Sequence, residues 1–398
     1  MEILFLHPNF PAQFKHLAKA FADKGHKTRF LCQTHYGRTI NGVEIITLKR
    51  GAGHEALTNA KLSIFDKIQK LSSQYRMGLE SMKKAGYAPD IVISHSGFGC
   101  GLYVKELWPN VQLISYMEWW FNPESPFFNY DPNNKNLAVS QSAMKKSWKR
   151  NQSLALELTV SDAIVSPTQW QRNQLPKLLR DPCEVIFDGI DLNIYKLNHS
   201  LPIKENVITY GTRGMDPMRA FPQFISALPE ILKFDKTVEV EIAGIDEVNY
   251  GSGHKKSSWK QWAIELLASH KLDSRVRWVG RLGPGSYERW LQSSGTHIYL
   301  SHPFVTSWSL VEAYCCFTPL VVSDIELTKE ICSDCGGVTY ADHRKTEDLS
   351  QKIINHMESI SKSSDLRLRL SRDVGRFGLA RSLEEWSRVS GVELTTTN

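Results

Sequence analysis

Short runs of apolar, mostly β-branched residues alternate with longer stretches of helical periodicity, and this alternation passes through the chain twice. A run that is apolar at every position, not every second one, belongs to a strand buried on both faces, as in a parallel sheet covered by helices. Ile3 to Leu6, Thr28 to Cys32, Glu44 to Leu48, Ile91 to Ser94, Gln112 to Tyr116, Ala163 to Val165 and Glu184 to Phe187 form the first set. Helices are expected over Gln13 to Lys24, ended by Gly25, and over Lys61 to Lys84. Around Asn193 to Asn206 the pattern loosens, and a second set follows: Val207 to Tyr210, Val238 to Ala243, Val276 to Val279, His297 to Leu300 and Pro319 to Val322. Its helices are expected at Pro222 to Lys233, Trp259 to His270, Tyr287 to Gln292 and Leu310 to Cys316. The expectation is an α/β protein of two Rossmann-like domains, residues 1–199 and 200–375. Leu366 to Val389 reads as amphipathic helix, and residues 376–398 are expected to cross back to the N-terminal domain.

At 398 residues the chain exceeds what one hydrophobic core organises, which agrees with two domains. No apolar run approaches the roughly 20 residues of a membrane span, and the opening Met1 to Leu6 has no basic leader or cleavage site. The reading is a cytoplasmic protein whose fold starts at once. Seven cysteines, with Cys315 and Cys316 adjoining in an apolar segment, do not make a disulfide framework; Cys332 and Cys335 have metal-knuckle spacing but no second pair follows. The N-terminal half is the basic one, with 24 Lys+Arg against 17 Asp+Glu in residues 1–199 and 24 against 25 thereafter. Its densest cluster, Lys145-Lys146-Ser147-Trp148-Lys149-Arg150, reads as a solvated helix face, with contact to an anionic membrane surface as the alternative. Scattered basic residues without a recognition module argue against nucleic acid.

In open parallel sheets, ligands bind beyond the carboxyl ends of the strands, so the loops after strands carry the candidates. After Val207 to Tyr210 comes Gly211-Thr212-Arg213-Gly214-Met215-Asp216-Pro217-Met218-Arg219. Two arginines bracketing a Gly/Pro turn suit a diphosphate, because the guanidinium fork gives bidentate charge-assisted hydrogen bonds and neutralises phosphate charge without a metal. After His297 to Leu300, the loop Ser301 to Ser309 feeds a helix whose start offers free N–H groups, with Ser307 and Ser309 as caps or phosphate ligands. Glu312, one turn in, suits a ribose diol.

These stretches resemble the bacterial family 4 retaining glycosyltransferases. Arg213 falls on the family's arginine, Arg219 replaces its lysine, and Glu312 falls on the second glutamate of its Glu-x7-Glu motif; Phe304 stands where the first is expected. His7 to Phe14, Ser166 to Gln171, Ile186 to Asp191, Ala243 to Gly251 and Ser258-Trp259-Lys260 resemble signatures of one bacterial subgroup, so the likeness spans nearly the whole chain. That subgroup carries glycine where Ala12 stands.

The resemblance implies a GT-B fold, an acceptor-side N-terminal domain and a nucleotide-sugar-binding C-terminal domain closing on a cleft. It implies a retaining hexosyl transfer from a nucleoside diphosphate sugar, UDP foremost, to a carbohydrate, lipid-linked or protein hydroxyl, in polysaccharide or glycoconjugate synthesis. No cofactor and no metal are expected. Catalytic candidates are Glu118, His95, Arg213 and Arg219. Donor-binding candidates add Arg281, Ser307, Trp308, Ser309 and Glu312, and Pro11, Ala12 and Gln13 form an acceptor-side or phosphate loop. Peripheral contact with the inner face of the membrane fits the basic half. Two alternatives share the architecture: a non-catalytic binding subunit, motivated by Phe304, and a nucleotide-sugar 2-epimerase.

Overall fold

The computed structural model describes residues 1–49, 51, 53, 55, 56, 59, 61–332, 336–361 and 372–395. Cys335 and residues 366–371 of the expected C-terminal helix lie outside them. The chain divides into two compact units.

The first unit comprises Met1–Ser125, Ser140–Gly189 and the C-terminal segment from Arg376. Its seven strands are β1 (Glu2–Leu6), β2 (Lys27–Cys32), β3 (Val43–Thr47), β4 (Ile91–His95), β5 (Gln112–Tyr116), β6 (Ala163–Ser166) and β7 (Cys183–Val185). They pair in parallel in the order β3-β2-β1-β4-β5-β6-β7. The continuous apolar runs are explained by alternation across two covered faces. Ile3 and Phe5 of β1 join Leu17 and Phe21 of helix α1 (Lys15–Asp23), while Leu4 and Leu6 join Leu71, Tyr75 and Leu79 of α2 (Ile64–Lys84). Each such side chain, fully buried, is worth about 1.5–3 kcal/mol.

Two features of this unit go beyond the sequence reading, which had the basic cluster only as a helix face and the C-terminal segment as a longer helix. A 20-residue helix, α3 (Gln141–Val160), carries the basic cluster; its Trp148 is exposed, while Arg150 lies over the Phe121 ring at 4.3 Å. The C-terminal helix is shorter than expected, Leu379–Ser390, and inserts Trp386 into the cluster around Phe5. Ser382 Oγ donates to the Phe187 carbonyl at 2.7 Å, and Gly189 at φ +88° leaves room for Leu379, whose Cδ2 would sit 2.8 Å from a Cβ there.

The second unit is Pro126–Val139 with Ile190–Gly375. Strands β8 (Lys204–Gly214), β9 (Glu239–Ile245), β10 (Val276–Gly280), β11 (Ser294–Tyr299), β12 (Leu320–Ser323) and β13 (Val338–Ala341) are parallel in the order β10-β9-β8-β11-β12-β13. The short β13, behind Gly336 and Gly337, escaped the sequence reading. Helix α4 (Phe221–Phe234) packs Phe221, Phe224, Leu228 and Ile231 against Ile208, Val240 and Ile242 of the sheet, and α5 (Trp259–Ser269) and α6 (Ser286–Ser293) follow β9 and β10. The unit begins at Ile190, ten residues ahead of the expected start at residue 200, because Gln292 Nε2 donates to the carbonyls of Ile194 and Lys196. The 126–139 segment joins it through His302 and Arg344, which donate to the carbonyls of Phe127 and Tyr130.

Both sheets run in the doubly wound order, with a switch point between β1 and β4 in one and between β8 and β11 in the other. Those are the places where this architecture binds ligands.

Candidate functional site

In the first unit the switch point gathers β1 and β4 ends. His7 and His95 are buried with ring centroids 5.0 Å apart. His7 Nδ1 accepts from the Asn9 amide at 2.9 Å, and burial holds its ring well below the ordinary imidazole range, so it stays neutral. Nε2 of His95 stands 3.6 Å from Oε2 of Glu118, and among the described residues neither ring nitrogen of His95 has a partner within hydrogen-bond geometry. Gln13 Nε2 donates to the other carboxylate oxygen at 2.9 Å, and Gln171 Nε2 donates to the Glu118 carbonyl at 2.6 Å. Burial alone would raise the Glu118 carboxyl; His95 and Gln13 outweigh it and hold it below the usual range, so it is anionic at neutral pH. Gln13, His95 and Glu118 therefore form one cluster.

Pro11 and Ala12 lie on the turn that delivers Gln13, and Ala12 occupies left-handed backbone at φ +47°. The second unit repeats this: Ala220, directly after Arg219, sits at φ +49°. An L-residue adopts that conformation at a cost of about 1–2 kcal/mol, so each loop's shape is imposed by what surrounds it.

Behind β4 and β5, Glu157 of α3 is completely buried. Ser115 Oγ donates to it at 3.3 Å, and a Cβ on Gly101 would meet its Oε1 at 2.6 Å. Burial pushes its carboxyl up to about 7, with Ser94 and Ser115 opposing. This residue was not a sequence candidate: α3 has little segregation of apolar and polar faces, so nothing marked one glutamate as interior.

In the second unit Arg219 is anchored. Its Nη1 donates to Ser301 Oγ at 2.8 Å and to the Tyr299 hydroxyl at 3.0 Å, and the Tyr210 hydroxyl donates to its carbonyl at 2.6 Å. Arg213 is exposed and makes no ion pair among the described residues. Buried Asp216, unremarked in the sequence, accepts from the amides of Arg219, Asn249 and Tyr250 at 3.2–3.3 Å, tying the arginine turn to the loop after β9. Helix α7 (Trp308–Cys315) follows β11; Ser307 and Ser309 hydroxyls lie 2.8 Å apart, and Trp308 is 41% exposed. Ser307, the residue before the helix, does not cap it with its side chain, so both hydroxyls bond each other instead.

Glu312 on that helix is hydrogen-bonded by Tyr287 and Tyr195; burial, the larger influence, pushes it up to about 7. Arg281 is exposed just after β10, and Lys260 lies over the Trp278 ring at 5.3 Å. Phe304 packs against Phe127 at 5.0 Å and Tyr250 at 6.2 Å, an apolar wall in place of a carboxylate.

The model of the glycosyl transferase family 4 group matches residues 24–195, and that of the glycosyl transferases group 1 matches residues 196–372. The chain belongs to the family 4, group 1 glycosyltransferases. This glycosyltransferase has no match among curated proteins. Among solved structures, HepE from Anabaena in complex with UDP and glucose aligns with a TM-score of 0.66 at 12% identity, over 98% of this chain and 99% of that one. Sucrose-phosphate synthase from Thermosynechococcus elongatus aligns at 0.69 and 13%, covering 98% of each chain. WaaG, a glycosyltransferase involved in lipopolysaccharide biosynthesis, aligns at 0.66 and 12%, over 98% of this chain and all of that one. At such identities the likeness shows the fold: the glycosyltransferase has GT-B architecture, two Rossmann-like domains of parallel sheet.

Proposed function

We propose that this glycosyltransferase moves a hexosyl group from a nucleoside diphosphate sugar to a hydroxyl acceptor with retention of configuration and without a divalent metal. The observation that carries the reading is the arginine pair at the end of β8, which runs on to Gly214, past the expected end at Tyr210: Arg213 is exposed within its last residues, and Arg219, in the turn that follows, is fastened to Ser301 and Tyr299. The C1–oxygen bond of the donor breaks and its electron pair goes to the diphosphate. Arg213, Arg219 and the start of α7 at Ser307 to Ser309 offset that charge, a preorganised electrostatic role. The acceptor oxygen bonds to C1 on the face the diphosphate leaves, and its proton passes to a departing phosphate oxygen.

Glu312 is assigned to the ribose diol: its tyrosine partners fix its position, and its raised pKa fits a carboxyl able to donate or accept. Trp308, exposed beside the serines, and Arg281 flank the donor. Glu118, oriented by Gln13 and facing His95, is assigned to the acceptor side as an anionic anchor for the attacking hydroxyl. Pro11 and Ala12 hold that loop in shape. UDP is the first base to test, since solved relatives of this fold are complexed with UDP and UDP-glucose.

The setting we infer is cytoplasmic synthesis of surface polysaccharide or glycoconjugate, with the basic face of α3 resting on an anionic membrane. No helix among the described residues is long and apolar enough to cross a membrane, so such contact would be peripheral. The test is a coupled assay of nucleoside diphosphate release over a panel of donors and lipid-linked or sugar acceptors. Release with product of retained configuration is the expected result; inverted product would overturn the mechanism. Phe304 favours one second reading, a binding subunit without turnover, and nucleotide-sugar binding with no transfer to any acceptor would establish it.

A further inference from the structure

The second unit holds a cavity of about 540 Å³ that shares no lining residue with the arginine turn or the start of α7. Lys135, Lys255 and Lys256 line it, together with His254, and none of its lining residues is acidic. None of the three lysines makes an ion pair or hydrogen bond among the described residues, so the cavity carries uncompensated positive charge. Pro222, Trp259 and Thr346 also line it. They are the first or second residues of three helices: α4, Trp259–Ser269 and Thr346–Ser361. The first two have no acidic residue in their first turn and add partial positive charge beside the lysines, whereas Glu347 and Asp348 offset that of the third.

One side of the cavity is aromatic. Trp259 and Trp262 meet edge to face at 5.5 Å, and the His254 ring lies 5.0 Å from Trp259. The wall is held in place: Trp259 Nε1 donates to the Ser252 carbonyl at 3.0 Å, Ser258 Oγ accepts from the Gln261 amide at 3.1 Å, and Ser252 Oγ donates to Asn136 Oδ1 at 3.2 Å. Of the Ser258-Trp259-Lys260 motif, unused by the transfer mechanism, Trp259 lines this cationic pocket and Ser258 holds the start of its helix. Fixed rings beside free ammonium groups suit a phosphate ester whose organic part lies against an indole face.

We propose that this cavity is a second anion site, separate from the donor site, that binds a phosphate-bearing ligand through Lys135, Lys255 and Lys256 with Trp259 and Trp262 as its apolar wall. The ligand's phosphate could belong to a soluble metabolite or to a lipid headgroup, and the test separates these.

Isothermal titration of the full chain with inorganic pyrophosphate is expected to reveal two classes of site. Lys255→Glu with Lys256→Glu removes one, weakening it about tenfold or more, and leaves the other. Arg213→Ala weakens the other and spares the first, so failure of the donor assignment and failure of this one give different results. Lys135→Ala, remote in sequence from the lysine pair, weakens the same class as the double variant. Unchanged pyrophosphate binding in both lysine variants overturns the proposal. Co-sedimentation with phosphatidylglycerol vesicles distinguishes the sources. Vesicle binding that the lysine reversals abolish, alongside the lost pyrophosphate class, identifies a headgroup; loss of the pyrophosphate class without any change in vesicle binding identifies a soluble phosphate.

Discussion

Arg219 Nη1 and Ser301 Oγ, 2.8 Å apart, fasten the loop after β8 to the end of β11. The bond spans the switch point of the second sheet and gives the two arginines different duties. Arg219 is both a structural tie and a cation; Arg213 is a cation alone.

Arg213→Ala is accordingly expected to leave the melting temperature within about 2 °C of the parent, as for surface substitutions in general. Its kcat/KM should fall by roughly 10²–10³-fold, the usual cost of losing one preorganised charge-stabilising group. Arg219→Ala should lose activity to a similar extent and, in addition, about 1–3 kcal/mol of stability, because the Tyr299 and Ser301 hydroxyl oxygens lose their guanidinium donor. Equal melting temperatures for the two variants would contradict this division.

The two left-handed alanines make a paired prediction. Ala12 is half-buried, so Ala12→Gly relieves about 1–2 kcal/mol of backbone strain against a smaller entropic loss, and the net change should be a gain of roughly 0.5–1 kcal/mol. Ala220 is fully buried, and its lost methyl offsets the relief at about 0.8 kcal/mol, so Ala220→Gly should be near neutral. Chemical denaturation of both variants checks the order.

Glu157 predicts a pH signature. The folded carboxyl titrates near 7, the unfolded one near 4.5, so its contribution to stability is full below about pH 4.5 and is lost as pH rises through 7. Glu157→Gln cannot ionise, and it should gain on the parent by an amount on the order of 2–3 kcal/mol between pH 4.5 and 7.5. A stability difference that stays constant with pH would refute the assignment. In the parent, this loss meets an opposite trend from His297, His343 and His356, which burial holds near 3, 3 and 4. Their stabilisation is present above pH 6.5 and is lost as pH falls through the folded values.

Glu118→Gln should keep donor binding and raise the acceptor KM or lower kcat, because Gln13 and His95 act on the carboxylate and not on the nucleotide. Gln13→Ala should give a weaker version of the same defect. Nucleotide affinity measured by calorimetry separates this from general unfolding; a fall in nucleotide affinity without loss of acceptor turnover would reject the acceptor-side role.

Most strands were legible because burial on both faces leaves an unbroken apolar run, as in Ile3-Leu4-Phe5-Leu6. The places of the candidates that follow strand ends, such as Arg219 and Gln13, were legible for a related reason: loops after strands lie at the carboxyl edge of a parallel sheet, where this architecture generally binds ligands. What stayed hidden depends on partners far along the chain. Asp216 meets amides at 249 and 250, Glu312 meets Tyr195 and Tyr287, and Phe304 meets Phe127, none of which leaves a local pattern. Short β13 and weakly segregated α3 lacked the periodicity that reveals an element.

The stretch from Pro126 to Val139 has a consequence for any attempt to dissect or recombine this glycosyltransferase. It is translated amid the first unit yet supplies the ring beside Phe304 and the carbonyl that receives His302. A single cut near residue 190 would strip that cover from the C-terminal piece. Chimaeras that swap donor halves between homologues must therefore graft a non-contiguous patch, or His302 loses its acceptor and Phe304 its neighbour.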